Sequence, residues 1–566
     1  MTAYYDLGSY SRRITTNSPE AQTWFDRGIN WIYGFNHAEA IKCFGEALKH
    51  DPDCAMAHWG VSYAAGPNYN LPWHLYDPQG KAQALAAAYD AMQAALAVAD
   101  RASPVEQALI KALPARYPQR EPIEDQRPWD KAFTVEMRKL FGAFPGDLDV
   151  ACAFADAIMN ETPWQMWDLE TGGVAKDAGT KEAVGLLEGL FADKPASWDH
   201  PGLLHLYVHL MEMSPFPQRA LKAGDRLREL IPDSGHLIHM PTHIDVLCGN
   251  YRDVVVYNQK AVEVDREYLK REGPFNVYAL YRTHNHHFVI YGAMFLGQFE
   301  PAIKAAQELI DTTPEELLRV PSPPMADFIE GYLPMKQHVL VRFGKWREII
   351  AQELPKDRDL YCSTTAMMLY AKGLAHSVLG EVAEAEKTRT AFREARPRVP
   401  ESRRVHNNKV VDLLAIAEEM LTGELEYRRG NLDIAFAHLR RSVELEDALP
   451  YDEPWGWMQP ARHALGALLL EQGHLAEAEA VYRADLGFDP TISRACWHPD
   501  NVWALHGLVE CLQNRGESAE LLKFREKLAH AMRKADVPIT SSCMCRINVL
   551  PTDTCCPSAV PNLTSV

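Results

Sequence analysis

No run of apolar residues approaches the roughly 20 that a membrane-crossing helix needs. The opening MTAYYDLGSYSRR also lacks the apolar stretch of a signal peptide. The expectation is a cytoplasmic protein that works away from the bilayer. Basic charge is scarce: 58 Lys and Arg against 76 Asp and Glu leave a net charge of −18. Such a balance repels phosphate backbones and anionic lipid, which excludes nucleic acid and membrane surfaces as expected partners. Of eleven cysteines, seven stand singly between Cys43 and Cys511, while Cys543, Cys545, Cys555 and Cys556 crowd the end. That distribution is not a disulfide framework, and the spacing of the last four matches no zinc motif. Alternating β-branched runs, a Gly-x-Gly-x-x-Gly turn, a Walker loop, a Gly-x-Ser-x-Gly elbow and a His-Glu-x-x-His helix are missing too. Sheet architecture, nucleotide chemistry and serine hydrolysis lose their basis in sequence.

What is present is helix. Alanine- and leucine-rich segments punctuated by Gly and Pro recur along all 566 residues, which predicts an all-α chain. In AQTWFDRGINWIYGFNHAEAIKCFGEALKHDP, Trp24, Gly28, Trp31, Ala40, Phe44, Ala47 and Pro52 fall at the spacing of a packed helical hairpin. This stretch resembles the tetratricopeptide repeat, with its period of about 34 residues. Later segments enter the same register, for example Ala478, Tyr482 and Pro490. The resemblance implies a tetratricopeptide-type α-solenoid. The expected organisation is an N-terminal extension (1–20), a helical region with inserted loops (21–200), His-rich repeats (201–316), C-terminal repeats (317–536) and a disordered Cys-containing tail (537–566).

Nine of the 22 histidines lie between His200 and His287. Aligned on the repeats, His205, His239 and His287 take the fifth position of a first helix. His209 and His243 share the ninth, where the third repeat has Tyr291, and His236 and His284 share the second. These spacings put the rings on one helix face. In tetratricopeptide proteins that face looks into the concave groove, so the resemblance places the rings outside the core.

Imidazole is the commonest ligand for zinc, copper and iron, and His-x-x-x-His aims two rings at one ion. His205/His209 and His239/His243 have that spacing, and Glu212 extends the first pair by one turn. The expected ligands are His205, His209, His236, His239, His243, His284 and His287. Glu212, Tyr291 and Glu161 are the candidate acid–base groups. The loops GPNYNLPWHLYD and NETPWQMWDLETGG offer Asn68, Asn70, Trp73 and Trp164 to a substrate, and His338 sits at the far rim. His286, about 100° round the helix from His287, falls outside.

The run from HLYVHLME to GHLIHMPTHI and THNHHF resembles a group of tetratricopeptide proteins with a Gly-His-Leu-x-His-Met-Pro-x-His signature, which supports the site residues without naming a reaction. All-imidazole ligation points to a transition metal, with copper first and zinc or iron as alternatives. The functional expectation is oxidative chemistry on a small molecule at a one- or two-metal centre. Two readings stay open beside it: a zinc-dependent hydrolase, and a non-catalytic scaffold that binds a peptide or small ligand in a His-lined groove. A protein partner on the repeat surface is also expected.

Overall fold

The computed structural model describes residues 4–516 and 518–547. Among them the chain is helix and loop from Pro19 to Met532, interrupted only by the two-residue strands Arg404–Val405 and Asn408–Lys409 and by isolated bridges. Capping residues set many of the helix starts. Ser18 accepts from the Ala21 N–H ahead of Pro19, and Asp147 accepts from the Asp149 and Val150 N–H groups. No helix among the described residues is long and apolar enough to cross a membrane.

Most helices pack on their neighbours in the chain, as helical hairpins stacked into an α-solenoid. One device recurs at both ends. Phe44 is wedged between two glycines of flanking helices: a Cβ on Gly28 would stand 2.4 Å from its ring, and one on Gly60 2.6 Å. Near the other end Tyr482 is held the same way between Gly466 and Gly507, at 2.5 and 2.1 Å. Each aromatic ring fits only because both glycines lack side chains.

The solenoid closes on itself. Arg494 Nη2 donates to the Leu247 carbonyl at 2.5 Å, Ser322 Oγ to Asp77 at 3.0 Å, and the Phe299 N–H to Asp536 at 2.6 Å. As a result the expected open groove is filled around the histidines, and every residue of the Pro201–Glu212 helix is buried. The rings are therefore inside the core, not outside it. The apolar interior forms two clusters, one running from Tyr5 to Tyr278 and the other from Met213 to Cys545, and the His-rich helices lie along their seam.

The segment from 537 onward departs from its expected disorder as far as it is described. Ser542 Oγ donates to the His463 carbonyl and bonds Tyr482 Oη at 2.6 Å, and Arg342 donates to the Ser542 carbonyl. Cys543 and Cys545 are joined to each other. Cys555 and Cys556 lie outside the described residues.

Two stability predictions follow from this packing. Gly28→Ala and Gly507→Ala should each destabilise the chain by about 1–3 kcal/mol in urea titrations. The control is Gly45→Ala, whose Cβ meets nothing within 4 Å; it should stabilise by about 0.5–1 kcal/mol through helix propensity. The second concerns acid. Asp485 accepts from Asn501 and faces both His463 and His498, at 2.9 and 2.8 Å. Burial pushes His463 down to about 4 despite Asp485. Against its own burial, Asp485 is pulled far below the carboxylate range by the two histidines. Both groups bind fewer protons folded than unfolded, so their contribution is present at neutral pH and lost as pH falls, for His463 from about 6.5 toward 4. Unfolding midpoints measured from pH 7 to 4 should fall steadily, and His463→Gln should flatten that dependence.

Candidate metal centre

The Pro201–Glu212 helix carries His205, His209 and Glu212 on one face, as the three- and four-residue spacing requires. The next first helix is broken: Gly235–His239 ends at Met240, and Pro241, with no N–H to donate, opens a separate Pro241–Leu247 segment. His239 and His243 still meet across this break, with Nε2 atoms 2.8 Å apart. His284 joins them from the Ala279–Leu296 helix, its ring centroid 4.9 Å from that of His239.

Three groups result, each with ligand atoms within 4.8 Å of one another: His205, His209 and His236; His239, His243 and His284; and Glu212, His243 and Glu453. All are buried. The two triads adjoin, with His236 and His239 ring centroids 6.0 Å apart and those of His209 and His243 6.2 Å apart.

Oxygen acceptors fix how the rings present themselves. His205 Nδ1 lies 2.7 Å from the Tyr33 carbonyl and can only donate to it, which leaves Nε2 with its lone pair. Asn258 Nδ2 donates to Thr242 Oγ1 and the Val254 carbonyl, so Asn258 Oδ1 faces His239 Nδ1, at 2.7 Å, as an acceptor. His209 Nδ1 and His243 Nδ1 take the two oxygens of Glu212, each at 3.0 Å. This is how ligating histidines are commonly oriented: one nitrogen tied to an oxygen, the other free for an ion. Accordingly His205 Nε2, His209 Nε2 and both nitrogens of His236 are buried without any hydrogen-bond partner. The facing Nε2 atoms of His239 and His243 need something between them, either a proton passed from the carboxyl pair or a metal ion.

Electrostatics point the same way. Burial, then mutual repulsion among the rings, holds His209, His236, His243 and His284 far below the usual imidazole range, so they are neutral and able to coordinate. Glu212 and Glu453 sit together beside His243, and burial raises both carboxyls. No Lys or Arg is among the groups that act on either of them. These residues can hold a metal ion.

Several expected participants lie elsewhere. His287 belongs to neither triad; its Nε2 faces Met458 Sδ. Glu161 acts on Asp130, away from the imidazoles. Tyr291 packs on Phe295 and feels Glu446 and Asp485, because it lies two turns beyond His284 along the helix. Asn68 shapes its own turn by accepting from the Asn70 and Leu71 N–H groups. Trp73 stands against Tyr76 and His338 against Trp457. Asn70 reaches Tyr281, whose ring covers His236 at 4.4 Å. Trp164 does reach the site, 5.7 Å from His209. His286 feels Glu308 and Arg282 and belongs to none of the three groups.

Four contributors have no sequence signal of the kind that marked the stripe. Tyr69 is fully buried 5.0 Å from His209, and its hydroxyl has no partner. Glu453 and Asp452 come from a linker between hairpins. His406, at the hairpin tip with φ +49°, bonds Asp452 at 2.6 Å and stacks 5.2 Å from His284. The run YDEPWGWM, too rich in aromatic residues for an ordinary inter-helix linker, is the one clue that could have flagged the carboxylates beside them.

No family model matches this chain, and no curated protein does. Solved structures are similar at low identity. Naa15/Naa10 bound to HypK-THB is 13% identical over 91% of this chain and 70% of that one, with a TM-score of 0.22. The human IFIT1 dimer with m7Gppp-AAAA is 10% identical over 84% and 90%, at 0.32. The P58(IPK) TPR domain is 12% identical over 91% and 98%, at 0.20. At such scores the architecture rests on this chain's own hairpins.

In the metal-free chain, His205 and His239 should show Nδ1 protonated and Nε2 bare in long-range proton–nitrogen spectra. The opposite tautomer at either ring would contradict the orientation that the Tyr33 and Asn258 oxygens impose.

Proposed function

We propose that this chain is a metal-dependent enzyme that performs oxidative chemistry on a small molecule, at a centre of two adjoining ions. His205, His209 and His236 would hold one ion and His239, His243 and His284 the other. The observation that carries the reading is the set of buried imidazole nitrogens with no partner. Each such group costs about 1–3 kcal/mol if left unsatisfied, and an ion could answer one nitrogen of each ring of a triad at once. Glu212 and Glu453, buried beside His243, add a third set of ligand atoms within reach of one ion.

An all-imidazole set fits copper best, with zinc or iron as alternatives. A redox metal held there would exchange electrons with a substrate, whereas zinc would activate water. The protein's own contributions are separable from that choice. Glu212 orients His209 and His243, while Tyr33 and Asn258 orient His205 and His239. Tyr69 and Trp164 cover the first triad and exclude water. A small cavity lined in part by Tyr33, Phe35, Trp59, Tyr63 and His205 adjoins the first triad, with room for about two water molecules.

A non-catalytic scaffold is the competing reading. Burial of the histidines argues against a peptide lying along them, since each is at most 7% exposed. A metal-stabilised scaffold without turnover would share the same ligands.

Elemental analysis of the purified chain is expected to find about two transition-metal ions. His209→Ala and His239→Ala should each lower that content sharply while the far-ultraviolet helical signal survives. His438→Ala is the control, because its ring bonds Glu419 on a distant hairpin. A wild-type chain that takes up no transition metal at neutral pH, or three variants that behave alike, would overturn the proposal. Metal bound without oxidation of any phenolic or other small reductant would leave the scaffold.

A further inference from the structure

His287 is a buried imidazole left without a place in either triad. It lies one turn past His284, with ring centroids 5.8 Å apart. Yet its Nε2 faces Met458 Sδ at 2.9 Å, and its Nδ1 is buried without a partner. Met458 is fully buried and comes from the same segment as Glu453. Tyr332 stands edge-on to His287 at 5.2 Å. His338 is near enough to oppose a charge on His287, and its own Nδ1 is buried and unpartnered beside Trp457.

Thioether sulfur is a weak hydrogen-bond acceptor, so Met458 gives the imidazole little as a partner of that kind. Imidazole and thioether together are a soft, neutral donor pair of the sort that selects copper(I). Asp452 acts on the neighbouring Tyr332 but is already bonded to His406. With only neutral donors, the place suits a monovalent ion better than a divalent one.

We propose that His287 and Met458 form a soft copper(I) site distinct from the two triads and one helical turn from His284. Its role as a loading station for the centre rests on the metal-centre reading above; the site itself does not.

The test uses the full chain, stripped of metal, reduced, and titrated with copper(I) against a chromogenic copper(I) chelator. Met458→Leu should bind about one equivalent less than wild type. All eleven cysteines are thiols once reduced, are common to both proteins and cancel in the difference. Selenomethionine-labelled wild type, which needs no variant to fold, should show selenium–copper scattering in X-ray absorption. Cobalt(II), favoured by imidazole over thioether, reports on the triads and should bind Met458→Leu and wild type equally. Unchanged copper(I) binding in Met458→Leu, or no selenium–copper scattering in wild type, overturns the soft site. Failure of cobalt(II) to bind wild type, with the copper(I) difference intact, overturns the triad reading and leaves the soft site standing.

Discussion

Imidazole nitrogen buried without a partner is the constraint around which this molecule is arranged. A single unsatisfied ring is tolerable, but His205, His209 and His236 place several such nitrogens within 4.8 Å of one another. Burial, reinforced by mutual repulsion, keeps them neutral, and neutrality keeps them open to an ion. Everything around them serves to hold that state. Tyr33, Asn258 and Glu212 pin one nitrogen of a ring, Tyr69 and Trp164 cover the cluster, and the closed solenoid denies water a way to satisfy the rest. An open groove of the same sequence would let solvent bond every ring, and the free lone pairs would lose their significance.

Closure explains why the repeat register located the stripe and misjudged its surroundings. Helical spacing is local, so the meeting of His205 with His209, and of His239 with His243, could be read from the chain. Even the break at Pro241 leaves the second pair intact. The tetratricopeptide resemblance supplied the hairpins and the face that the rings occupy. It could not supply what lies opposite that face, because those contacts join residues hundreds of positions apart. Arg494 with Leu247 and Asp536 with Phe299 have no local signature.

The same distinction sorts the missed residues from the misplaced ones. Tyr291 shares a helix position with His209 and His243, but the Ala279–Leu296 helix carries its ring past the cluster toward Asp485. Position within a repeat fixes a face, not a height along the groove. His287 shows this most clearly, since the fifth position that suits His205 and His239 carries it instead to Met458. Glu453 and His406 reach the centre from a linker and a two-stranded turn, elements whose direction no helical period predicts. His406 also needs a left-handed backbone, an uncommon conformation outside glycine that only the assembled fold can hold in place.

Rigid framing is what makes such a buried site sustainable. The wedges of Phe44 between Gly28 and Gly60, and of Tyr482 between Gly466 and Gly507, lock hairpins at each end of the array. Between them the two apolar clusters meet at the His-rich helices, so a shift in either half would move the triads relative to each other. Coordination tolerates little such movement, because ligand distances are set to a few tenths of an ångström. A solenoid is ordinarily compliant along its length, since each repeat touches mainly its neighbours. Joining its distant segments through Arg494, Ser322 and Asp536 removes that compliance where the rings converge. The closed solenoid thus joins distant segments of a repeat array around six imidazoles, in two groups whose ligand atoms lie within 4.8 Å of one another.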